Sequence, residues 1–489
     1  MRIVRDNWGI AHVYGKSDAD AVFGMIYAQA EDDFARIERN YLNGLGLLAQ
    51  AEGETAIYSD LRQRLFIDPR RLEQEYRDAP DWLKTLMVAW SDGLNYFLSK
   101  HPAVAPAVIR HYEPWMALCF TEGSIGSDIE GIDLGKLQEF YQTQPPQPAR
   151  AVSARIDTRA ETAAGGSNGF AIAPGRSATG HALLWINPHT SYYFRSELQM
   201  VSEQGLNVYG AATWGQFFVY QGFSARNGWM HTSYGGDAVE MPQNIHDVTL
   251  DSLIAAGYDS HLTAFDTLLP PLFDDYDRLA ADDPRRAALK EPMASLRGWD
   301  RRTSADSVPT AVAIFWGQEL FERKRAEAHD SGEPLYDYLV GHLTSSERID
   351  GLTAAVANLQ RDFGQWQTPW GDINRYQRLT DDFVQPFDDA KPSLPVGLAA
   401  SKWGALASFD TETPGKTKKI YGSVGNSFVA AVEFGPAIHA KAILSGGESG
   451  DPHSPHFADQ AQMFVQGRFR DVLFSPEDVM AHTERSYHP

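Results

Sequence analysis

The run Gly165-Gly166-Ser167-Asn168-Gly169, a third of the way along the chain, constrains it more than any other feature. Small residues lead into a serine, and Phe170-Ala171-Ile172-Ala173 continues as an apolar run ended by Pro174-Gly175. Two chemistries use such a serine. In a G-x-S-x-G nucleophile elbow, an apolar strand turns sharply into a helix and leaves the hydroxyl exposed at the bend. The spacing 165/167/169 fits that pattern, but the surroundings do not. Residues 155–164 are polar and alanine-rich, as in a linker, and residues 170–175 read as strand and turn rather than helix. The second chemistry cuts the chain before the serine, so that Ser167 becomes a new N-terminus. Such a site needs a pliable, small-residue approach and a strand that carries the new terminus into a core. Both are written here. Ser167 is the candidate nucleophile, and Gly166–Ser167 the candidate scissile bond.

A serine hydroxyl is a weak nucleophile until a base stands within hydrogen-bond reach. A free α-amine titrates near pKa ~8, so a useful fraction is neutral at pH 7, and it is tethered to the hydroxyl it must deprotonate. In the uncut chain the same hydroxyl can attack the Gly166 carbonyl. Glycine tolerates the strained geometry a scissile bond of this kind needs. The plain alternative is a serine in a glycine-rich turn, and the flanking motifs tell against it.

Those flanks resemble a known family. Ser167-Asn168-Gly169-Phe170-Ala171-Ile172-Ala173-Pro174, Asn187-Pro188-His189, Val208-Tyr209-Gly210-Ala211 and Gly228-Trp229-Met230-His231-Thr232-Ser233 look like the start of the β chain of penicillin acylases and acyl-homoserine lactone acylases. These are N-terminal-nucleophile amidohydrolases made as self-cleaving precursors. Residues 5–15 and 24–32 resemble the start of the α chain, and residues 447–460, from Gly447-Glu448-Ser449 to Asp459-Gln460, resemble the closing motif. The resemblance covers both ends and the first part of the β chain.

It implies an α+β fold, the αββα four-layer sandwich of N-terminal-nucleophile hydrolases with additional helical segments. It also implies hydrolysis of a small-molecule N-acyl amide through an acyl-enzyme, the substrate being a β-lactam side chain, an acyl-homoserine lactone or an acylated peptide. The partners are then the α and β fragments of the chain's own precursor. On matching positions, His189 lies beside the nucleophile, where it orients the amine or the substrate amide; a turn histidine held by backbone bonds is the alternative. The main-chain N–H of Ser233 helps form the oxyanion hole, and His231 reads as structural. Some members hold a structural calcium near the β-chain start. Asp237 and Glu240 fall near that place, with Asp128 or Glu130 as partners, and oxygen ligands suit calcium; solvated loop acids would look the same. No cofactor is required. The family is mostly exported, while residues 1–6 already belong to a motif and leave no room for a secretory h-region, which points to a trimmed chain or a cytoplasmic member.

The chain also departs from the family. Members carry a long β-chain stretch with an Asn-rich motif, whose asparagine is the second oxyanion donor. Here Val239 to Thr249 jumps across that segment. Asn244 or Asn426 can stand in, but neither matches the motif. Losing one such donor typically costs ~2.7–4 kcal/mol, or about 10²–10³ in rate. A shortened relative that keeps the fold and serves as a binding scaffold is therefore the rival reading.

Composition sets outer bounds. The 489 residues are 43% apolar and 22% charged, enough for a packed core and unlike a disordered chain. A net charge of -21 argues against a nucleic-acid partner. No run reaches the roughly 18 apolar residues of a membrane-spanning helix. The single Cys119 excludes an intramolecular disulfide and a cysteine-based zinc site.

Periodicity divides the chain into residues 1–148, mostly helical, a spacer at 149–166 ending at the cut, and 167–489, sheets with a helical region at about 250–361. Ser17 with Asp20 reads as a capping box opening a helix, and Asp81 to Leu98 as a second helix. Strands are predicted over 170–173, 182–187, 208–212, 217–223, 229–233, 429–434 and 438–444, and helices over 251–269, 271–281, 308–326 and 346–359. His453 and His456 have a metal-like spacing, yet Pro452 and Pro455 put them on a loop, so structural roles are favoured. Of the aromatics between Tyr192 and Tyr220, most are expected in the core, with Trp214 and Phe218 lining the acyl pocket.

Overall fold

The computed structural model describes residues 1–119, 132–141, 167–232, 246–382, 384–411 and 417–489. The first half carries strands β1 (Arg2–Asp6), β2 (Ala11–Gly15), β3 (Asn168–Ile172), β4 (Ala182–Asn187), β5 (His189–Ser191), β6 (Arg195–Ser202), β7 (Asn207–Thr213), β8 (Gln221–Ser224) and β9 (Gly228–Trp229). The second half adds β10 (Asn374–Tyr376), β11 (Leu394–Pro395), β12 (Phe409–Asp410), β13 (Ile420–Tyr421), β14 (Val424–Asn426), β15 (Phe428–Phe434), β16 (Ile438–Leu444), β17 (Arg470–Asp471) and β18 (Thr483–Tyr487).

Two sheets dominate. One has seven strands in the order β18-β1-β2-β6-β7-β8-β9, the other five in the order β17-β16-β15-β4-β3. Alternation along each strand divides its side chains between two faces. Tyr209, Ala211 and Phe223 of the larger sheet form one cluster with Ile186, Phe428, Ala430, Val432 and Ala442 of the smaller, so these faces pack on each other. The opposite face of the larger sheet, with Val13, Leu198, Met200 and Ala212, packs on helix α1 (Asp18–Gly44) and helix Asp81–Lys100. The opposite face of the smaller, with Leu183, Trp185, Val429 and Ala431, packs on helix Leu250–Gly257. A separate helical core holds Phe265, Trp316, Leu320, Leu352 and Trp403.

Beside this apolar cluster, a polar network also lies between the two sheets. The fully buried Glu197 pairs with the Arg470 guanidinium of the facing sheet and accepts the Tyr209 hydroxyl at 2.6 Å. Beside it, His12 Nδ1 stands 2.7 Å from Gln199 Oε1 and Nε2 3.4 Å from Asp6 Oδ2. Burial alone would push Arg470 down; Glu197, Tyr209 and Asp6 together hold it above its ordinary value.

The motifs at the two ends of the sequence meet. Arg5 donates to Asp32 at 2.6 Å and Glu31 at 3.0 Å, and the Gly450 N–H donates to the Asp32 carbonyl at 3.0 Å. His456 is held between Asp459 and Glu484, each at 2.7 Å, and His453 by Asp451 at 2.9 Å, which gives both histidines carboxylate partners.

The capping box at Ser17 and Asp20 is present, and helix Asp81–Lys100 covers the second expected helix. Strands β4 and β16 have the expected bounds. Elsewhere the pattern misleads. The expected strand 217–223 pairs only over β8, with Phe217 and Phe218 at a bend before it, and in the described part of 229–233 pairing is confined to β9. The expected helix 251–269 breaks after Gly257; a second helix, Ala264–Asp277, then runs through Pro270-Pro271 where the prolines suggest a boundary. The eight-residue β6 has no counterpart among the predicted strands. Among the described residues no helix is long and apolar enough to cross a membrane.

Candidate active site

Ser167 stands just before β3, the edge strand of the smaller sheet. The strand, not a helix, that begins at Asn168 removes the nucleophile-elbow alternative. β3 pairs antiparallel with β4 from Asn168↔Asn187 to Ile172↔Leu183. β4 ends where Pro188 brings no N–H to the ladder. The chain then re-enters a different sheet as β5, whose His189 pairs with Asn426 of β14. The first free N–H past the proline is that of His189, and it donates to Ser167 Oγ at 3.2 Å.

A second grip comes from the larger sheet. Just beyond its edge strand β9, Thr232 Oγ1 accepts the Ser167 N–H at 3.0 Å and donates to the Ser167 carbonyl at 2.8 Å. Ser167 thus sits where the edges of the two sheets meet. At Gly169 a Cβ would stand 2.0 Å from the Met230 sulfur, so a larger residue there would have to displace that side chain.

The His189 ring meets the Asn168 side chain. Its Nε2 is 3.4 Å from Asn168 Nδ2, which donates to the Leu406 carbonyl at 2.7 Å. A carbonyl can only accept, so the Asn168 amide nitrogen is the atom turned to Leu406 and to the ring, while the buried Nδ1 of His189 has no hydrogen-bond partner among the described residues. Burial pushes the ring down to about 4, against a smaller opposing pull from the Leu406 carbonyl. The imidazole is neutral at pH 7.

Acid stability depends on this ring. An unfolded imidazole takes up its proton near pH 6.5, whereas folded His189 stays neutral to about pH 4. The group's contribution is full above pH 6.5 and falls by about 3 kcal/mol as the pH drops towards 4. Urea unfolding at pH 7 and pH 4.5 is expected to show that loss in the parent and a shallower one in His189→Gln.

The remaining sequence-derived positions separate. Trp214 is buried among Leu198, Met200 and Val219, and its Nε1 donates to the Tyr193 carbonyl at 2.8 Å. Phe218 is 46% exposed and meets Phe217 edge-on. Gly166, Ser233, Asp237, Glu240, Asn244, Asp128 and Glu130 lie outside the described residues. Among the described residues no group of three or more His, Cys, Asp or Glu is arranged to hold a metal ion. Asn426 is fully buried; its Oδ1 accepts the Ser408 N–H at 3.0 Å, and its amide nitrogen has no hydrogen-bond partner among the described residues. Sequence reasoning missed the Asn168 side chain and Thr232. Both lie inside the family-like motifs at 167–174 and 228–233, where the serine and the histidines carry the more obvious chemistry.

Comparison with known proteins agrees with the motifs. The penicillin amidase family model matches residues 1–244 and 238–481. The two stretches meet at the place where the sequence jumps. Similar curated proteins include a penicillin acylase 2 proenzyme of Pseudomonas sp. (strain SE83), 24% identical over 39% of this chain and 30% of that protein. Another is the acyl-homoserine lactone acylase PvdQ of Pseudomonas putida, 26% identical over 46% of this chain and 32% of that protein. The chain therefore spans about a third of the length of these relatives. A thermostable penicillin G acylase from Alcaligenes faecalis is similar over 63% of this chain and 65% of that one, with 12% identity and a TM-score of 0.30, too low to bear on the fold. With the family model covering nearly the whole sequence in two stretches, the chain belongs to the penicillin amidase family.

Proposed function

We propose that this chain is a self-processing amidohydrolase, an αββα sandwich that removes a hydrophobic acyl group from an amine through Ser167. The observation that carries the reading is the placement of Ser167 at the head of an edge strand, its Oγ under the His189 N–H, in a chain of the penicillin amidase family. In the precursor, Oγ attacks the Gly166 carbonyl and the peptide bond is exchanged for an ester, which frees the Ser167 amine; water then hydrolyses the ester, releasing the Gly166 carboxyl group and restoring the Ser167 hydroxyl. In turnover the amine takes the hydroxyl proton as Oγ attacks the substrate carbonyl. The departing amine product receives that proton, and water then attacks the ester and releases the acid. The Ser233 N–H is the assigned oxyanion donor. His189, neutral and anchored by Asn168, orients rather than titrates. Trp214 and Phe218 are assigned to the acyl pocket, and Asp237 with Glu240 to a structural calcium. The names of the relatives suggest β-lactam side chains or acyl-homoserine lactones as substrates.

Mass spectrometry of the purified protein tests this. Cleavage predicts two fragments of about 166 and 323 residues. The second reading, a shortened relative acting as a binding scaffold, is favoured by the jump at residues 239–249 across the segment that carries the family's second oxyanion donor. It predicts a single full-length species unchanged on incubation.

A further inference from the structure

Thr232 touches the nitrogen that would become the catalytic base, and its one hydroxyl bonds on both sides. Its proton is committed to the Ser167 carbonyl at 2.8 Å, so towards the Ser167 nitrogen it can offer only a lone pair, at 3.0 Å. From that arrangement we infer that Thr232 is the positioning residue for the Ser167 amine. This rests on the reading of Ser167 as an N-terminal nucleophile.

Direction is what matters at this nitrogen. A freed amine has rotational freedom about its own N–Cα bond that the amide of the uncut chain lacks. Left alone, its lone pair points towards Oγ only part of the time. An acceptor on one side draws an N–H to itself and leaves the lone pair for the hydroxyl. Had Thr232 used its proton on the nitrogen, it would have occupied the lone pair and silenced the base. The Ser167 carbonyl, by taking that proton, prevents this. Because Thr232 comes from beyond β9 and Ser167 from the head of β3, the clamp also keeps the two sheet edges in register at the reacting atoms. The contact is solvent-exposed, so water can replace part of it, and the expected effect is moderate.

The same contact predicts a titration effect. An accepted N–H bond is stronger from an ammonium than from an amine, so Thr232 favours the protonated form. Removing it lowers the pH at which the amine becomes a base while reducing how well that base is aimed. A merely structural residue would do neither.

Phenylmethylsulfonyl fluoride reads both effects without knowledge of the substrate. Oγ attacks sulfur, the S–O bond forms, fluoride leaves and the hydroxyl proton passes to the amine; the product is seen by mass on the fragment that begins at Ser167. Labelling rates are measured from pH 5 to 9 in the parent, Thr232→Val and Thr232→Ser. The expected result is a plateau lowered roughly tenfold in Thr232→Val, with its acid limb moved to lower pH, and both restored in Thr232→Ser. Labelling of Thr232→Val at the parent rate with the parent pH profile overturns the inference and leaves the proposed function standing. A parent chain that is never cleaved at 166/167 overturns both, since no amine is then formed. Loss in Thr232→Ser equal to that in Thr232→Val also overturns it, because the serine hydroxyl keeps the bond.

Discussion

Ser167→Ala is expected to leave the chain at full length and without acylase activity, a loss on the order of 10⁶-fold, as when the hydroxyl is removed from other serine hydrolases. The fold should not account for the loss. Among the described residues the Ser167 hydroxyl accepts one hydrogen bond, from the His189 N–H at 3.2 Å. Removing an acceptor at a partly open site costs about 1 kcal/mol. The backbone contacts to Thr232 and the β3–β4 pairing use no side-chain atom of Ser167 and should persist. Intact-mass measurement alongside thermal melting separates chemistry from folding. A melting curve near that of the parent with one full-length mass is the expected outcome. Cleavage of the alanine variant at the same bond would mean that another group attacks Gly166, and the role given to Ser167 would be wrong. Ser167→Cys keeps a nucleophile and should restore cleavage in part.

Arg470→Met is expected to be the most destabilising single change in the inter-sheet layer, by about 3–5 kcal/mol. The guanidinium has carboxylate and hydroxyl partners on the facing sheet, Glu197 and Tyr209, and the Gln460 side chain nearer its own strand. Without it, Glu197 is left as a buried charge facing only the Tyr209 hydroxyl, with the Asp6 carboxylate and His12 nearby. Removing both partners has a different outcome. Glu197→Leu with Arg470→Met trades the pair for apolar volume and leaves one unsatisfied hydroxyl, so the loss should shrink to about 1–2 kcal/mol. Urea midpoints of the two single variants and the double variant give the coupling directly. Additive losses would mean that the pair does not act as a unit.

How far the sequence can be read depends on where each residue's partners lie. β4 and β16 are largely apolar runs whose signal is local, and the cap at Ser17 closes on a residue three positions away. β6, by contrast, reads Arg-Ser-Glu-Leu-Gln-Met-Val-Ser, which looks like a solvated segment. It is buried because Glu197 and Gln199 find Arg470 and His12, 273 and 187 residues away. No local pattern encodes that. The same holds at the site. Ser167 stands out through its glycine-rich setting, whereas the contacts of Thr232 and Asn168 depend on edges brought together from residues 65 and 238 positions apart. The helix through Pro270-Pro271 shows the opposite error, a local rule overridden by the packing of Leu268, Leu269 and Leu272 into the helical core.

β1 and β2 lie inside the seven-stranded sheet, hydrogen-bonded on one side to β18 and on the other to β6. A chain severed anywhere from 142 to 166 would therefore yield pieces interleaved like clasped fingers. Neither could leave without unzipping two ladders and exposing the apolar faces on either side. The nicked protein should travel through a sizing column as one particle and come apart only in denaturant.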